Sequence, residues 1–239
     1  MKEKLFIPII CYNHTANTEF MFSLIKLTHH LRDNNIEYCL FPIVFESLIP
    51  RARNAAAAHF LDSDYSHLIF IDSDIEFEPE SVIKLLRHNK QVIAGIYPKK
   101  YQVLNRIFSQ EEIVDYPISG EVHFNENGLI ESTYLPTGFL MIQREVFVKI
   151  ASAKPDLKYK NDIDGYGQLD TFYNFFRSGV HNGIYESEDW GFCSIWRELG
   201  GKVLLDPTIK LGHIGWNKFS GNPLKWCQEA INRYSKENP

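Results

Sequence analysis

The run Leu68-Ile69-Phe70-Ile71 constrains the fold of this chain more than any other stretch. Four large apolar residues in a row, two of them β-branched, are typical of a strand buried on both faces of a parallel sheet. Two carboxylates, Asp72 and Asp74, follow at once, where open α/β sheets place their ligands. Residues two apart in extended chain point the same way, so these side chains can converge on one cation. Carboxylate oxygens suit Mg²⁺ or Mn²⁺.

The same tripeptide occurs ten residues earlier, as Asp62-Ser63-Asp64, and provides an internal comparison. That copy follows an Ala-rich helical stretch and precedes the strand, where Asp and Ser commonly form turns. We therefore predict a turn there. For Asp72 and Asp74 the alternative to a ligand site is a strand-end turn that caps the next helix. Their position after the apolar run favours the ligand site.

Alternating strand and helix patterns surround this run and predict an α/β fold with a mixed, mainly parallel central sheet flanked by helices. The predicted strands cover residues 5–12, 38–45, 68–71, 92–97, 139–142 and 203–205. The predicted helices cover residues 20–31, 50–61, 79–86, 145–152 and 187–199, and a last one starts at Pro223. Residues 101–134 predict hairpins or loops, because short apolar runs alternate there with Gly and Asn.

The length of 239 residues predicts a single domain. We divide it into a nucleotide-binding-like half over about residues 1–100, which the alternating strands and helices predict, a second half over about 101–216, and a helical tail over about 217–239. No segment is suited to act as a signal peptide or to cross a membrane, so we expect a cytoplasmic protein.

Charge and cysteine usage exclude several classes of protein. Lys and Arg number 25 against 30 Asp and Glu, without a long basic block, which argues against nucleic-acid binding through a cationic face. The four cysteines are widely spaced and form no CxxC pair. We expect reduced, mostly buried thiols rather than a disulfide or zinc framework.

Two further groups of polar residues are candidates for a site. Ser187 is a favourable N-cap, and the apolar stripe of the helix after it extends back onto Glu188 and Asp189, so both acids can face the sheet. The alternative is that acids in a first turn simply favour the helix dipole, each by about 0.3–1 kcal/mol. Arg51 and Arg53 lie in a helix's first turn, where cations are disfavoured unless an anion binds.

Alternatives stay open for the basic residues. A salt bridge to Glu46 would also explain the arginines. Lys99 and Lys100 could contact phosphate or form a solvated turn. Tyr12 and Ser47, at the ends of the first two predicted strands, are candidates for a pocket that holds a nucleotide base.

Four short motifs, in this order along the chain, resemble those of GT-A glycosyltransferases, the nucleotide-sugar-dependent enzymes. They are Asp72-Ser73-Asp74 for the DxD motif, Thr137-Gly138 for the glycine loop, Ser187-Glu188-Asp189 for the xED motif, and His213 for the C-terminal histidine. The resemblance spans roughly residues 5–216 and is strongest to small single-domain members found in viruses and phages. It implies the GT-A, Rossmann-like version of the predicted α/β fold, in which the half over about residues 101–216 holds the acceptor and the metal.

The resemblance implies a donor site with a metal ion. Asp74 would be a direct metal ligand, Asp72 a ligand or a contact to ribose or to ligand water, and His213 a third ligand. A nitrogen ligand favours Mn²⁺ over Mg²⁺. Alone, a histidine between glycines is more often a loop residue than a ligand. Ser73 and Gly138 would lie near the donor, which the resemblance implies to be a UDP-sugar.

The resemblance also implies the remaining roles. Arg53-Asn54 matches an Arg-Asn pair that lies near the nucleotide. Asp189 would be the base that takes the proton from an acceptor hydroxyl, an effect worth about 10²–10⁴-fold, and Glu188 would orient donor or acceptor. A base on the acceptor side implies inversion at the anomeric carbon. The acceptor would be a glycan or glycoprotein. Trp190 could stack on a sugar ring or pack in the core.

Two other functions compete with this interpretation. Sugar-phosphate nucleotidyltransferases also join a nucleotide-binding sheet to acidic metal ligands, but they usually carry a Gly-rich, basic loop after the first strand. Here Cys11-Tyr12-Asn13-His14-Thr15 holds that place, without glycine. The third candidate is an inactive module that binds nucleotide sugars or glycans, and the intact acids at the motif positions argue against it.

Overall fold

The computed structural model describes residues 3–100, 115–118 and 123–237, the last five of these as backbone only. Of the predicted hairpins or loops over residues 101–134, the parts at 101–114 and 119–122 lie outside the described residues.

A central sheet of eight strands carries the fold. Numbered in chain order, its strands are β1 (Lys4–Cys11), β2 (Glu37–Val44), β3 (His67–Ile71), β5 (Val92–Ala94), β6 (His123–Phe124), β7 (Ile130–Glu131), β8 (Phe139–Gln143) and β11 (Leu204–Leu205). Their order across the sheet is β2-β1-β3-β8-β5-β11-β7-β6.

The directions of these strands confirm the predicted mixed, mainly parallel sheet. β1 is parallel to β2 and β3, and β5 is parallel to β11. β8 lies antiparallel between β3 and β5, and β7 lies antiparallel between β11 and β6. Six of the eight described strands therefore run one way, and β7 and β8 run the other.

Two smaller sheets lie beside the central one. The first contains β4 (Ile75–Glu76), β12 (Gly212–Ile214) and β13 (Lys218–Phe219), and the second is a hairpin of β9 (Gly179–His181) and β10 (Ile184–Glu186). β12 is antiparallel to β4, with His213 opposite Ile75. This pairing brings His213 beside the segment that follows β3.

Six α-helices belong to the described structure: α1 (Thr18–Asp33), α2 (Ile49–Leu61), α3 (Pro79–His88), α4 (Arg144–Ala153), α5 (Glu188–Glu198) and α6 (Pro223–Glu237). A short 3₁₀ helix, Pro155–Leu157, follows α4. The predicted helices agree with α1–α5 within two residues at each end, and α6 begins at the predicted Pro223. The fourth predicted strand is shorter than expected and ends at Ala94.

Two apolar cores cover the two faces of the sheet. One contains Ala55–Ala58 of α2 with Phe147 of α4 and Trp196 of α5. The other contains Phe20 of α1 and Leu85 of α3. Every residue of β3 is buried, as its unbroken apolar run predicts. The four alanines of α2 let that helix lie close to the strands, because they carry no side chain beyond Cβ.

Several local predictions are confirmed. Asp62-Ser63-Asp64 follows α2 as a turn, in which the Ser63 hydroxyl donates to the Phe60 carbonyl at 2.7 Å. The cysteines are free: Cys11, Cys193 and Cys227 are buried, and Cys39 is half-buried. No helix in the described part of the chain combines the length and the apolar character needed to span a bilayer.

Candidate active site at the carboxyl end of β3

The end of β3 is joined to the predicted glycine loop by sheet register. Ile71 pairs with Phe139 across the β3–β8 ladder, so Asp72 and Gly138 are neighbours. The Asp72 backbone N–H donates to the Gly138 carbonyl at 3.0 Å. The structure therefore brings two of the four predicted motifs together.

Gly138 lies where no side chain fits. A Cβ on this residue would lie 2.5 Å from the Tyr97 hydroxyl and 2.7 Å from Oδ2 of Asp72. The Gly138 N–H donates to the Tyr97 hydroxyl at 3.2 Å. Burial, with the charge of Asp72, raises the pKa of Tyr97 well above its ordinary value, so this phenol stays protonated. No role for Tyr97 follows from the sequence, in which its position at the end of a predicted strand is the available signal.

Arg53 bridges two parts of the site. Its Nη2 donates to Oδ1 and Oδ2 of Asp72 at 3.0 and 3.4 Å, and its Nε lies 3.5 Å from Oε1 of Glu188. The side chain is only 5% exposed. Burial would lower the pKa of Arg53, but the charges of Asp72 and Glu188 outweigh burial and raise it. Nε and Nη1 of Arg53 have no hydrogen-bond partner.

The first turn of α5 presents both predicted acids. Burial raises the pKa of Glu188, and the charge of Arg53 opposes that rise. Asp189 accepts hydrogen bonds from the Ser187 hydroxyl and, at 2.8 Å, from the Trp190 N–H. Ser187 occupies the predicted N-cap position, but its side chain makes no capping hydrogen bond because its hydroxyl binds Asp189. Glu188 thus faces the sheet, as one of the two alternatives predicted.

Trp190 packs face to face on Tyr134. The ring centroids are 4.2 Å apart and the planes are 1° from parallel. Both residues are half-buried. Tyr134 therefore covers one face of the Trp190 indole, next to Asp189 in the chain.

Asp74, His213 and Lys100 form a second group. Nε2 of His213 lies 3.7 Å from Oδ2 of Asp74, and the Lys100 ammonium donates to the same oxygen. Burial would raise the pKa of Asp74, but its interactions with His213 and Lys100 outweigh burial and lower it. The Ile214 N–H also donates to the Asp74 carbonyl at 2.8 Å. Lys100 therefore contacts a predicted metal ligand, and its contact with phosphate stays a prediction.

The predicted three-residue metal set is not assembled. Among the described residues, no three His, Cys, Asp or Glu side chains are grouped so that they could hold a metal ion. The Asp72 carboxylate pairs with Arg53, which leaves Asp74 and His213 facing each other. These two side chains fit a cation that takes its remaining ligands from phosphate oxygens and water. They do not fit a cation held by three protein side chains.

The two arginines near the start of α2 make different contacts, one with Glu46 and one in the candidate site. Arg51 forms the salt bridge to Glu46, with Nε 2.5 Å from Oε2. Arg53 instead reaches the site. Asn54 is buried and holds a neighbouring segment: its Nδ2 donates to Asn174 at 2.9 Å, and its Oδ1 accepts from the Phe176 N–H at 2.9 Å.

The other residues that are predicted to contact the nucleotide sugar lie at the same edge of the sheet. Tyr12 and Ser47 are exposed just after β1 and β2, which are parallel neighbours. The Tyr12 carbonyl accepts from the Phe45 N–H at 3.0 Å, which joins the two strand ends. The Ser73 carbonyl accepts from the Asn17 N–H at 3.0 Å. The assignment of these residues to a nucleotide remains a prediction.

Comparison with known proteins finds similarity in solved structures only. No family model matches the chain, and no curated protein matches it. The catalytic domain of Drosophila β1,4-galactosyltransferase 7, solved with xylobiose, is 14% identical and has a TM-score of 0.48; the match covers 95% of this chain and 79% of that one.

Other similar structures come from two classes of enzyme. TarS of S. aureus, solved with UDP-GlcNAc, is 14% identical with a TM-score of 0.41, over 86% of this chain and 56% of that one. The 4-diphosphocytidyl-2C-methyl-D-erythritol synthase of Anaerococcus prevotii is 9% identical with a TM-score of 0.38, over 68% and 80%. The galactosyltransferase and TarS are GT-A glycosyltransferases. These similarities concern the fold and assign no residue a role.

Proposed function

We propose that this chain is a metal-dependent glycosyltransferase of the hexosyl- or pentosyltransferase type. It moves a sugar from a nucleotide-diphosphate sugar to a hydroxyl of a glycan or glycoprotein, with inversion at the anomeric carbon. UDP is the proposed nucleotide, as the resemblance to GT-A enzymes implies.

The observation that carries this proposal is that two buried nitrogens of the Arg53 guanidinium have no hydrogen-bond partner. Nε and Nη1 together present three N–H groups, and both nitrogens are buried without a hydrogen-bond partner. A buried donor left unpaired costs about 1–3 kcal/mol, more when it is charged. An anion with several acceptor oxygens, such as a diphosphate, would satisfy these groups. The ends of β1, β2 and β3 meet at this edge, where open α/β sheets bind nucleotides.

Asp74 and His213 would hold the divalent cation, and Lys100 supplies a further positive charge at the same carboxylate. When bound, the cation would offset the charge that the nucleoside diphosphate gains as the glycosidic bond breaks. Arg53 would stabilise the same developing charge from its position beside Asp72. Gly138 is proposed to let the donor approach Asp72, because a Cβ there would lie 2.7 Å from Oδ2 of Asp72 and crowd that carboxylate.

Asp189 is the proposed base. It lies in the first turn of α5, half-buried, and it accepts hydrogen bonds only from its near neighbours Ser187 and Trp190 among the contacts described for it. A carboxylate held there can take the proton of the attacking hydroxyl as the new bond to the anomeric carbon forms. Glu188, one residue earlier and 3.5 Å from Nε of Arg53, is the residue proposed to orient the donor or the acceptor.

A donor screen tests the proposal. The purified protein is incubated with a panel of nucleotide sugars and Mn²⁺, and the released nucleotide is measured with and without glycan acceptors. Slow release of UDP or GDP from one donor supports glycosyl transfer. Release of pyrophosphate from a nucleoside triphosphate and a sugar phosphate would replace the proposal with nucleotidyl transfer. Donor binding without turnover, even with a panel of acceptors, would identify a binding module.

A further inference from the structure

Arg53 is shared by two carboxylates that come from distant parts of the chain. Asp72 follows β3, on the side proposed for the donor, and Glu188 begins α5, on the side proposed for the acceptor. The two contacts differ in quality. Asp72 receives hydrogen bonds from Nη2, whereas Glu188 lies 3.5 Å from an Nε that makes no hydrogen bond. The Glu188 carboxylate is thus an ion-pair partner of Arg53 at the outer limit of hydrogen-bond distance, a weaker contact than that of Asp72.

We propose that Glu188 is a positioning residue that competes with the donor diphosphate for Arg53 and so lowers the affinity for the donor. This inference rests on the proposed function, since it requires a nucleoside diphosphate at Arg53. It gives Glu188 a role on the donor side that is distinct from the role of Asp189 as base.

The competition follows from charge and geometry. Phosphate oxygens can form charge-assisted hydrogen bonds to the unpaired Nε and Nη1, and these are about twice as strong as neutral ones. The Glu188 carboxylate is close to Nε and is itself only 20% exposed, so it is poorly screened from an anion placed there. Diphosphate and ionised Glu188 therefore oppose each other at Arg53.

Linkage makes this opposition reciprocal. If the ion pair between Arg53 and Glu188 weakens donor binding by some factor, then a bound donor weakens that ion pair by the same factor. Donor binding would thereby release a carboxylate in the first turn of α5, next to the proposed base. In this arrangement the occupied donor site prepares the acceptor side for the hydroxyl.

The first test is calorimetric titration of UDP, and separately of GDP, into the protein in the presence of Mn²⁺. Glu188→Gln keeps the size of the side chain and removes its charge. We expect the dissociation constant of the bound nucleotide to fall by about fivefold or more, the lower end of typical coupling. Glu198→Gln is the matched control, because it removes one carboxylate charge from the other end of the same helix, where Glu198 pairs with Lys154 and Arg177 instead of Arg53. We expect a change below about twofold there.

A double-mutant cycle tests whether the effect acts through Arg53. In the Arg53→Lys background the fork geometry is lost, and the Glu188→Gln effect should shrink below about twofold. Circular dichroism verifies the fold of each variant. If Arg53→Lys does not fold, NMR of the Arg53 Nε–H group is measured in place of the double-mutant cycle. UDP should shift this resonance both in the wild-type protein and in Glu188→Gln.

The outcomes separate this inference from the proposed function. If neither nucleotide binds any variant, the proposed function fails. If a nucleotide binds but Glu188→Gln leaves its affinity unchanged or weakens it, only the competition is overturned. An undiminished Glu188→Gln effect in the Arg53→Lys background, or an Arg53 resonance that UDP does not move, overturns it as well.

Discussion

His213 and Asp74 face each other across 3.7 Å, from Nε2 to Oδ2. Nδ1–H of His213 donates to the Pro98 carbonyl at 2.7 Å. A carbonyl oxygen can only accept, so Nδ1 carries a proton and Nε2 is the nitrogen that faces Asp74. A ligand histidine is commonly oriented in this way, with its second nitrogen held by a carbonyl or carboxylate.

Asp74→Ala should abolish Mn²⁺-dependent binding of UDP, because it removes the carboxylate that is proposed to hold the cation together with His213. The measurement is calorimetric titration of UDP with Mn²⁺ and again with a chelator. In the wild-type protein the chelator should weaken binding, and in the variant it should have no further effect. His213→Ala should weaken the Mn²⁺-dependent part by about 10-fold or more.

Asp64→Ala is the matched control for this substitution. Asp64 closes the other Asp-Ser-Asp tripeptide, where it pairs with Lys4 at 2.5 Å. Its side chain is 75% exposed, so its loss should leave nucleotide binding unchanged. Metal-dependent binding that survives in Asp74→Ala would show that the cation is held elsewhere.

Asp189→Ala should keep donor binding and reduce transfer by about 10²–10⁴-fold, the usual contribution of a positioned base. Initial rates with saturating donor and acceptor measure the loss, and UDP titration checks that the donor site is intact. Glu145→Ala is the control, because Glu145 lies in the first turn of α4, an equivalent place on another helix. Equal transfer by the wild-type protein and Asp189→Ala would refute the role of Asp189 as base.

Much of the fold was predictable because it depends on local patterns. The buried run of β3 and the helical spacing in α1 and α3 are visible in the sequence and match the structure. The antiparallel placement of β8 between β3 and β5 was not predictable. It depends on pairing between residues about seventy positions apart, such as Ile71 and Phe139, which no local pattern encodes. That pairing is what joins Asp72 to Gly138.

The candidate site was predictable in its residue types but not in its partners. Arg51 and Arg53 look equivalent as first-turn cations, yet residues two apart on a helix point about 200° apart. One therefore meets Glu46 and the other meets Asp72. Helical geometry predicts the separation, but which arginine faces the sheet depends on how α2 packs. The position of the Tyr97 hydroxyl beside Gly138 and Asp72 could be found only from the three-dimensional structure.

Gly138→Ala tests the close approach of the glycine loop to Asp72. The added Cβ would lie 2.5 Å from the Tyr97 hydroxyl and 2.7 Å from Oδ2 of Asp72, so one of these groups must move. We expect stability to fall by about 1–3 kcal/mol, as for overpacking elsewhere, together with weaker UDP binding. Urea unfolding and UDP titration measure the two effects.

Gly128→Ala serves as the control for this substitution. Nothing lies within 4 Å of a Cβ at Gly128, but its φ of +72° is unfavourable for alanine. The free energy of unfolding of Gly128→Ala should therefore fall by about 1 kcal/mol, while the affinity of this variant for UDP stays unchanged. Wild-type affinity in Gly138→Ala would contradict the proposed donor approach.

Asp206 should stabilise the fold in a way that depends on pH. It is buried, and it accepts hydrogen bonds from the Thr208 N–H and from Nε2 of His88, both at 2.8 Å, with Lys84 at 3.1 Å. Burial would raise the pKa of Asp206, but these partners outweigh it and lower the pKa. A carboxyl whose pKa is lowered by folding stabilises the folded state at pH values above its ordinary pKa. It loses that contribution as the pH falls through its pKa in the folded state.

Asp206→Asn should thus reduce the free energy of unfolding by about 1–3 kcal/mol near neutral pH. The difference from the wild-type protein should shrink below about pH 4, measured by urea unfolding at a series of pH values. Asp170→Asn, at a fully exposed carboxylate, is the control and should change little; a difference for Asp206→Asn that stays constant into acid would show that its charge is not what stabilises the fold.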